Sequence, residues 1–379
     1  MKIGILTQPL HDNYGGLLQA YALKETLQSM GHEIEIINRR RAKVSWFRKK
    51  ASMIKSVLLH RKIHPSLYLT KKHELKISNE TKSFQKKYIP ELSSLITNDK
   101  EMKNLENLGF DAYIVGSDQC WRPRYSPNIR NFFLDFVDTD RKVIKLSYAA
   151  SFGLSEWEFN NDDTLACKSL IQKFDAVSVR ESSGIKLVEK YLGRNDAVHL
   201  VDPTMLLSVK NYLDIIQQEK IPEINGDLHI YILDKNEEKN KIVNHIVERY
   251  GYKPFETLPT KRLGSEKVTN YNVDNFIYPN PAKWLRGFYD AKFVVTDSFH
   301  GTVFSILFNI PFVVIGNKNR GIARFESLLK QFHLEDRFIS NYSKDVISEI
   351  LTSKIEWKDV NNVINEEKTK GLQFLNKYL

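Results

Sequence analysis

The sequence predicts an α/β protein built from two Rossmann-like, doubly wound domains that face one another across a cleft. Three observations carry that expectation. The chain opens β-loop-α-β: a short apolar run Lys2 to Thr7, a polar loop Gln8 to Gly16, a helix-spaced run Leu17 to Met30, and a second strand-like run His32 to Asn38. The same alternation returns after about Leu108 and again after Asp202-Pro203. The length of 379 residues suits two domains at ~100–200 residues each.

Each element has its own warrant. Gly31 stops the first helix, and the β-branched run that follows it reads as a strand. Further strands are expected at Ala112 to Gly116, Val143 to Ala149 and Ala176 to Val179, with helices at Thr164 to Phe174 and Ser182 to Leu192. Asp202-Pro203 is a turn that closes the first domain. The domains are therefore set at 1–205 and 206–379, the first carrying a basic helical excursion over 39–108. In the second, strands are expected near Leu228 to Leu233, Tyr252 to Glu256, Lys292 to Thr296 and Phe312 to Ile315. Helices fall between them at Glu237 to Tyr250, Pro281 to Asp290 and Thr302 to Asn309. In open sheets of this kind ligands lie beyond the strand C-termini.

Composition narrows the function classes. With 42% apolar and 27% charged residues the chain can bury ordinary cores, which argues against disorder. The longest apolar stretch, Thr302 to Gly316, is broken by Asn309 and Pro311 and is too short to span a bilayer. The first residues run straight into a strand without a signal-peptide layout, so a cytoplasmic protein is expected. Two cysteines, Cys120 and Cys167, make neither a disulfide framework nor a structural zinc site.

The net charge of +10 is local: Arg39 to Lys72 holds twelve Lys or Arg and no acid, and the remainder carries 44 basic against 46 acidic residues. Such a block attracts a phosphate-bearing surface or is simply a solvated face. Within it Trp46, Phe47, Met53, Ile54, Val57 and Leu58 fall near helical spacing, with Arg48, Lys49, Lys50 and Lys55 among them. That pattern suits either an interfacial helix in peripheral contact with the inner face of an anionic membrane or a helix packed on its own domain.

Five strand ends carry polar or charged groups. The first loop holds His11, Asn13, Tyr14, Gly15 and Gly16, where paired glycines allow close backbone approach and the helix N-terminus favours an anion. It is neither GxGxxG nor a Walker motif. Gly116-Ser117-Asp118-Gln119 follows a second strand, and its side chains could bind a hydroxylated substrate or cap a turn. Arg180 follows a third and suits fork-like binding of carboxylate or phosphate, or a surface pairing with Glu181. Asp297-Ser298-Phe299-His300-Gly301-Thr302 brings an imidazole to the first turn of an apolar helix, where a general acid or base belongs. Asp297 is placed to orient or charge-pair that ring, and Gly301 suggests close approach by another group. Arg320 and Arg324 follow the next strand. Four of these edges bear groups suited to an anion, which points to an anionic ligand in the cleft. No metal set is expected: HExxH is absent, and His11 and His300 share no ligand spacing.

At these residues the sequence resembles the polysaccharide pyruvyl transferase family. The resemblance rests on Asn13-Tyr14-Gly15-Gly16-Leu17-Leu18-Gln19-Ala20-Tyr21-Ala22-Leu23, Gly116-Ser117-Asp118-Gln119, Val179-Arg180-Glu181-Ser182 and Asp297-Ser298-Phe299-His300-Gly301-Thr302, and it covers about Met1 to His333. It implies two Rossmann-type domains in a GT-B-like arrangement, and transfer of an enolpyruvyl unit from phosphoenolpyruvate to sugar hydroxyls as a ketal. No cofactor is implied. Arg180 matches an arginine that holds the donor and His300 the active-site histidine; Ser298 and Gly301 are further donor-binding candidates, and Asp118 or Asp297 would serve the acceptor hydroxyl, with the first loop, Ser117 and Gln119. Several members carry Arg-Leu-His where this chain has Ser298-Phe299-His300, so the second donor-binding cation is expected of Arg320 or Arg324. The acceptor would be a surface polysaccharide or its lipid-linked precursor. Two other readings compete: a GT-B-like glycosyltransferase using a nucleotide-sugar, and a nucleic-acid-binding protein built on the basic block. The latter has no recognised motif, so nucleic acid is not expected as a partner.

Overall fold

Short aliphatic runs covered on both faces form two all-parallel sheets in the computed structural model, which describes residues 1–42, 45–58, 65–137, 142–317 and 321–379. The first sheet contains β1 (Lys2–Leu6), β2 (Glu33–Ile36), β3 (Ala112–Val115), β4 (Ile144–Ala150), β5 (Ala176–Val179) and β6 (Val198–His199), in the order β2-β1-β3-β4-β5-β6. The second contains β7 (Leu228–Tyr231), β8 (Pro254–Glu256), β9 (Phe293–Thr296), β10 (Phe312–Ile315) and β11 (Phe338–Ile339), in the order β11-β10-β9-β7-β8. Strands β3, β5, β7, β9 and β10 are buried at every residue, as strands must be when helices cover both faces. The strand order turns back between β1 and β3 and again between β7 and β9. Those two points open crevices at the strand C-termini.

The expected strands all form, within a residue or two. Strands β6 and β11 were not foreseen; at two residues each they show no periodicity. The first helix begins at Tyr14 rather than Leu17, so Gly15 and Gly16 lie in its first turn and not in the loop. The apolar helix after β9 spans Phe299–Leu307 and starts three residues earlier than its spacing suggests, capped by the Ser298 hydroxyl, which accepts from the Gly301 N–H.

Three features lock the two sheets into one body. Tyr14, on the first helix of the N-terminal unit, inserts into an aromatic cluster of the other unit. Its ring centroid lies 5.8 Å from Trp284 and 6.1 Å from Tyr278, and its hydroxyl donates to the Thr257 carbonyl at 3.3 Å. The last helix, Trp357–Tyr378, bridges back from the second unit: Gly371 lies against Tyr148 and Leu206, and Glu367 accepts from Gln331 at 2.7 Å. The basic excursion begins with helix Trp46–Leu58 and then spans both units through helices Lys71–Ile77 and Asn79–Tyr88. Phe84 and Tyr88 pack towards Tyr21, whereas Ile77 joins Val268, Val273 and Phe276 of the second unit.

Truncating Tyr14 removes a large buried ring from this joint. Tyr14→Ala is expected to lower stability by about 3–5 kcal/mol, the usual cost of deleting a core aromatic. Tyr271→Ala, at a fully exposed ring, should stay within about 0.5 kcal/mol. Equilibrium urea unfolding of both variants checks the contrast.

Candidate functional site between the domains

Five charged side chains arrive at the joint from strand ends or from the turns and helices that follow them. Asp118 follows β3 in the left-handed region (φ 67), Arg180 follows β5, and Asp202 lies in the turn after β6. From the second unit come His300, in the first turn after β9, and Arg324, in helix Ile322–Gln331 after β10. All five are buried.

Asp202 is the hub of the group. Its Oδ2 accepts from Arg180 Nη1 at 2.7 Å and from the Ser117 hydroxyl at 3.4 Å; its Oδ1 accepts from the Thr204 N–H at 3.1 Å and hydroxyl at 2.8 Å. His300 Nε2 stands 3.4 Å from the same Oδ2, close enough to pair when the ring is charged but out of line for a hydrogen bond. Arg180 Nη2 donates to Asp118 at 3.3 Å, so its fork is held by two aspartates. Burial alone would raise both carboxyls. For Asp202, the charges of His300 and Arg180 outweigh it and hold the carboxyl well below the usual range. For Asp118, Arg180, His300 and Arg324 do the same. Arg180 moves the other way: burial would lower its pKa, but Asp202 and Asp118 raise it.

The Phe299 ring joins the two arginines. The Arg180 guanidinium lies 4.2 Å from its centroid and that of Arg324 5.7 Å. Burial, together with the like charge of Arg180, brings Arg324 down to about 10. Two guanidiniums on one aromatic ring, in a buried joint, form a cationic locus beside His300.

The units touch here with little between them. A Cβ on Gly15 would collide with the His300 ring, so this glycine is required by a histidine and not by a ligand. Gly321, at φ +81, brings its backbone against the Gly153 carbonyl of the first unit. Ser327 Oγ accepts from the Ser182 N–H at 2.9 Å.

Several expected residues lie elsewhere in the structure. Asp297 does not pair with His300. Its Oδ1 accepts from the Leu233 N–H (2.6 Å), and its Oδ2 from the Asp234 N–H (3.0 Å), Lys239 Nζ (2.6 Å) and Asn317 Nδ2 (3.3 Å). It therefore fixes the loop after β7. Gly301 makes room for Thr296 and Tyr231 of its own unit, and Gly16 for Asn13. Tyr14 is an interdomain anchor. Ser117 is fully buried, its N–H donating to Gln19 at 3.1 Å and its hydroxyl to the Ala149 carbonyl at 2.8 Å. Gln119 accepts from Arg122 at 3.3 Å. Arg320 lies outside the described residues. Asp202 and Phe299 were not singled out as site residues; Asp202 drew notice only as a turn before Pro203.

Beside the charged group opens a cleft of about 890 Å³ at the C-terminal ends of β7 and β8, with His11, Asp12 and Asn13 of the first unit on its rim. Tyr231, Tyr278 and Leu258 supply apolar surface. Its cations are paired locally: Lys235 with Glu256 and Lys261 with Glu266, both at 2.7 Å, and Arg262 with Asp234 at 2.5 Å. Among the described residues no group of three or more His, Cys, Asp or Glu is placed to hold a metal ion.

Comparison with known proteins agrees with this architecture. A family model described as polysaccharide pyruvyl transferase matches residues 13–319. No curated protein matches the chain. Among solved structures, a glycosyltransferase from Rickettsia africae is similar at TM-score 0.54 and 10% identity, over 99% of this chain and 96% of that one. The UDP-GlcNAc 2-epimerase of Methanocaldococcus jannaschii is similar at 0.52 and 13%, over 99% and 100%. UGT89C1 of Arabidopsis thaliana, complexed with UDP-L-rhamnose, is similar at 0.51 and 9%, over 98% of each chain. At such identities the likeness is one of fold: two parallel-sheet domains in the GT-B arrangement.

The depressed Asp202 carboxyl has a consequence for stability. In the unfolded chain it titrates near ~3.9, and in the folded chain lower, so the unfolded state takes up the proton first as pH falls. Its stabilisation is complete above that range and is lost as pH falls through the folded value. Asp202→Asn should therefore cost about 3–5 kcal/mol at neutral pH, the usual penalty for breaking a buried pair. The gap to wild type should narrow below about pH 4. Urea midpoints measured across a pH series test this; a gap independent of pH counts against the assignment.

Proposed function

The chain belongs to the polysaccharide pyruvyl transferase family, and from that premise we propose that it moves an enolpyruvyl unit from phosphoenolpyruvate to two hydroxyls of a saccharide, closing a pyruvate ketal. One observation carries the reading: two buried arginines, Arg180 and Arg324, share the Phe299 ring at a joint between domains, with His300 beside them. Burial first, and then the like charge of Arg180, lower Arg324. A donor bearing both phosphate and carboxylate suits two guanidiniums placed so close together. Arg324 supplies the cation that the Ser298-Phe299-His300 sequence lacks.

The chemistry follows from those positions. His300, as its imidazolium, gives a proton to the methylene carbon of the donor, and Asp202 beside Nε2 stabilises the charged ring. Carbon 2 becomes oxocarbenium-like and a sugar hydroxyl adds to it, its proton passing to the His300 imidazole, now neutral. The carbon–oxygen bond to phosphate breaks, and phosphate leaves with the bonding electron pair, its charge met by the arginines. The second hydroxyl then adds to the same carbon and gives its proton to the departing phosphate, completing the ketal. Asp118 and Asp202 hold the Arg180 fork in place. The cleft takes the saccharide: its volume, its tyrosines and its internally balanced charges suit a polyhydroxylated ligand better than a diphosphate, which would have to displace Glu256, Glu266 and Asp234. That balance also weighs against a nucleotide-sugar donor.

Saccharide-dependent release of phosphate from phosphoenolpyruvate, with the ketal methyl group seen by NMR in the product, is the direct assay. Turnover of nucleotide-sugars with no use of phosphoenolpyruvate would sink the reading. His300→Ala should remain folded, at some cost in stability, yet lose about 10²–10⁴ in rate. Arg180→Ala and Arg324→Ala should each raise KM for phosphoenolpyruvate more than the matching lysine substitutions do, because lysine keeps the charge and loses the fork. An unchanged KM in both alanine variants removes the arginines from donor binding.

A further inference from the structure

The basic excursion has no part in the reaction above, and its structure gives it a use. Helix Trp46–Leu58 carries Phe47 and Ile54 seven residues apart, hence on one face, exposed at 77% and 59%. Arg48 and Lys55, also seven apart, lie about 100° round the helix, and Lys50 lies on the other side of the apolar pair, all exposed. Among the described residues neither Arg48 nor Lys55 is ion-paired. The side chains of Trp46, Met53, Val57 and Leu58 lie outside the described residues.

The anchoring of this segment is specific. On its N-terminal side Arg40 donates to the Leu10 carbonyl at 2.6 Å, next to the cleft-rim residues His11 to Asn13, and Arg41 donates to the Arg124 and Ser126 carbonyls at 2.8 and 3.0 Å. On its C-terminal side Lys267 lies 4.5 Å over the Tyr68 ring and His73 Nε2 meets Asn270 at 3.1 Å, next to the opposite cleft wall of Ser265 and Glu266. The stretches on either side of the helix thus reach both walls of the cleft, and Phe47, Ile54, Arg48, Lys50 and Lys55 are exposed on the helix between them.

We propose that helix Trp46–Leu58 docks on an anionic lipid surface, with Phe47 and Ile54 entering the interface and Arg48, Lys50 and Lys55 meeting the phosphates. The charge argues for lipid: Arg48, Lys50 and Lys55 are exposed on one helix, and no acid lies between Arg39 and Lys72 to offset them. Ile54 beside Phe47 favours a lipid interface over nucleic acid, because an aliphatic chain has no ring face on which a base can stack. Docked in this way, the helix holds the cleft mouth at the bilayer, within reach of an acceptor carried on a lipid; that last step alone rests on the saccharide-transfer reading.

The test is co-sedimentation of the full chain with phosphatidylglycerol-containing and with pure phosphatidylcholine vesicles, at low and high salt. Binding to the anionic vesicles only, weakened by salt, is the expected result. Arg48→Gln/Lys55→Gln should lower that affinity about tenfold or more. Phe47→Ser/Ile54→Ser should lower it while leaving weak salt-sensitive binding. Both variants should unfold at the wild-type urea midpoint and keep wild-type transfer to a short soluble saccharide. Equal, negligible binding to both vesicle types at low salt overturns the proposal, as does wild-type vesicle affinity in the two double variants. Tighter binding to a short DNA duplex than to anionic vesicles at the same salt overturns it in favour of nucleic acid. Because the readout is lipid binding, a protein that fails to use phosphoenolpyruvate still answers the question.

Discussion

The structure turns on one buried carboxylate. Asp202 stands in the turn after β6 and faces both sides of the joint: the Arg180 guanidinium of its own unit and the His300 ring of the other. Without it, a buried guanidinium would lose a partner in a space that excludes water, at a cost of several kcal/mol. With it, the arginine fork is fixed by two acids and the histidine has a counter-charge waiting before it takes a proton. The apolar anchors, Tyr14 in the aromatic cluster and the last helix against Tyr148, bring the domains close enough for that pairing. Packing sets the distance, and the carboxylate makes the distance tolerable.

Much of the fold could be read from the chain because strands buried on both faces must be apolar along their whole length. Phe293–Thr296 and Phe312–Ile315 are unmistakable for that reason. Two-residue edge strands leave no such trace. Position at a strand end was the useful signal for the site: Arg180 and His300 both stand where that signal put them, and both meet Asp202. Adjacency in sequence was the misleading one. Asp297 is three residues from His300, yet it follows β9 on the side facing the β7 loop, and its oxygens are taken there by Lys239 and backbone N–H groups. An acid near a histidine in sequence says little about which acid meets it in space.

Aromatic residues were legible in kind and ambiguous in use. Tyr14 lies in a glycine-flanked loop motif that suits a ligand, and nothing local distinguishes a ring that stacks on substrate from one that enters a neighbouring domain. Phe299 is the converse case. It follows Ser298, the position where the resemblance implies a cation, and it serves the site by giving two cations one aromatic ring to share. The basic block illustrates a third limit: charge is visible in a sequence, but the reach of the stretches flanking its helix to both walls of a cleft is a property of the folded chain only.

The meeting of Gly321 with the Gly153 carbonyl sets a mechanical end-stop. Where two domains close on side chains, the closed position drifts with their rotamers, and the tolerance is that of a flexible bumper. Here main chain meets main chain, so the gap is fixed by the thickness of the backbone itself. The spacing between His300 on one half and the groups bound by the other is then gauged by the least deformable part of the molecule. A single added methyl group at Gly321 would act as a shim, holding the two halves ajar at the place where they need to register.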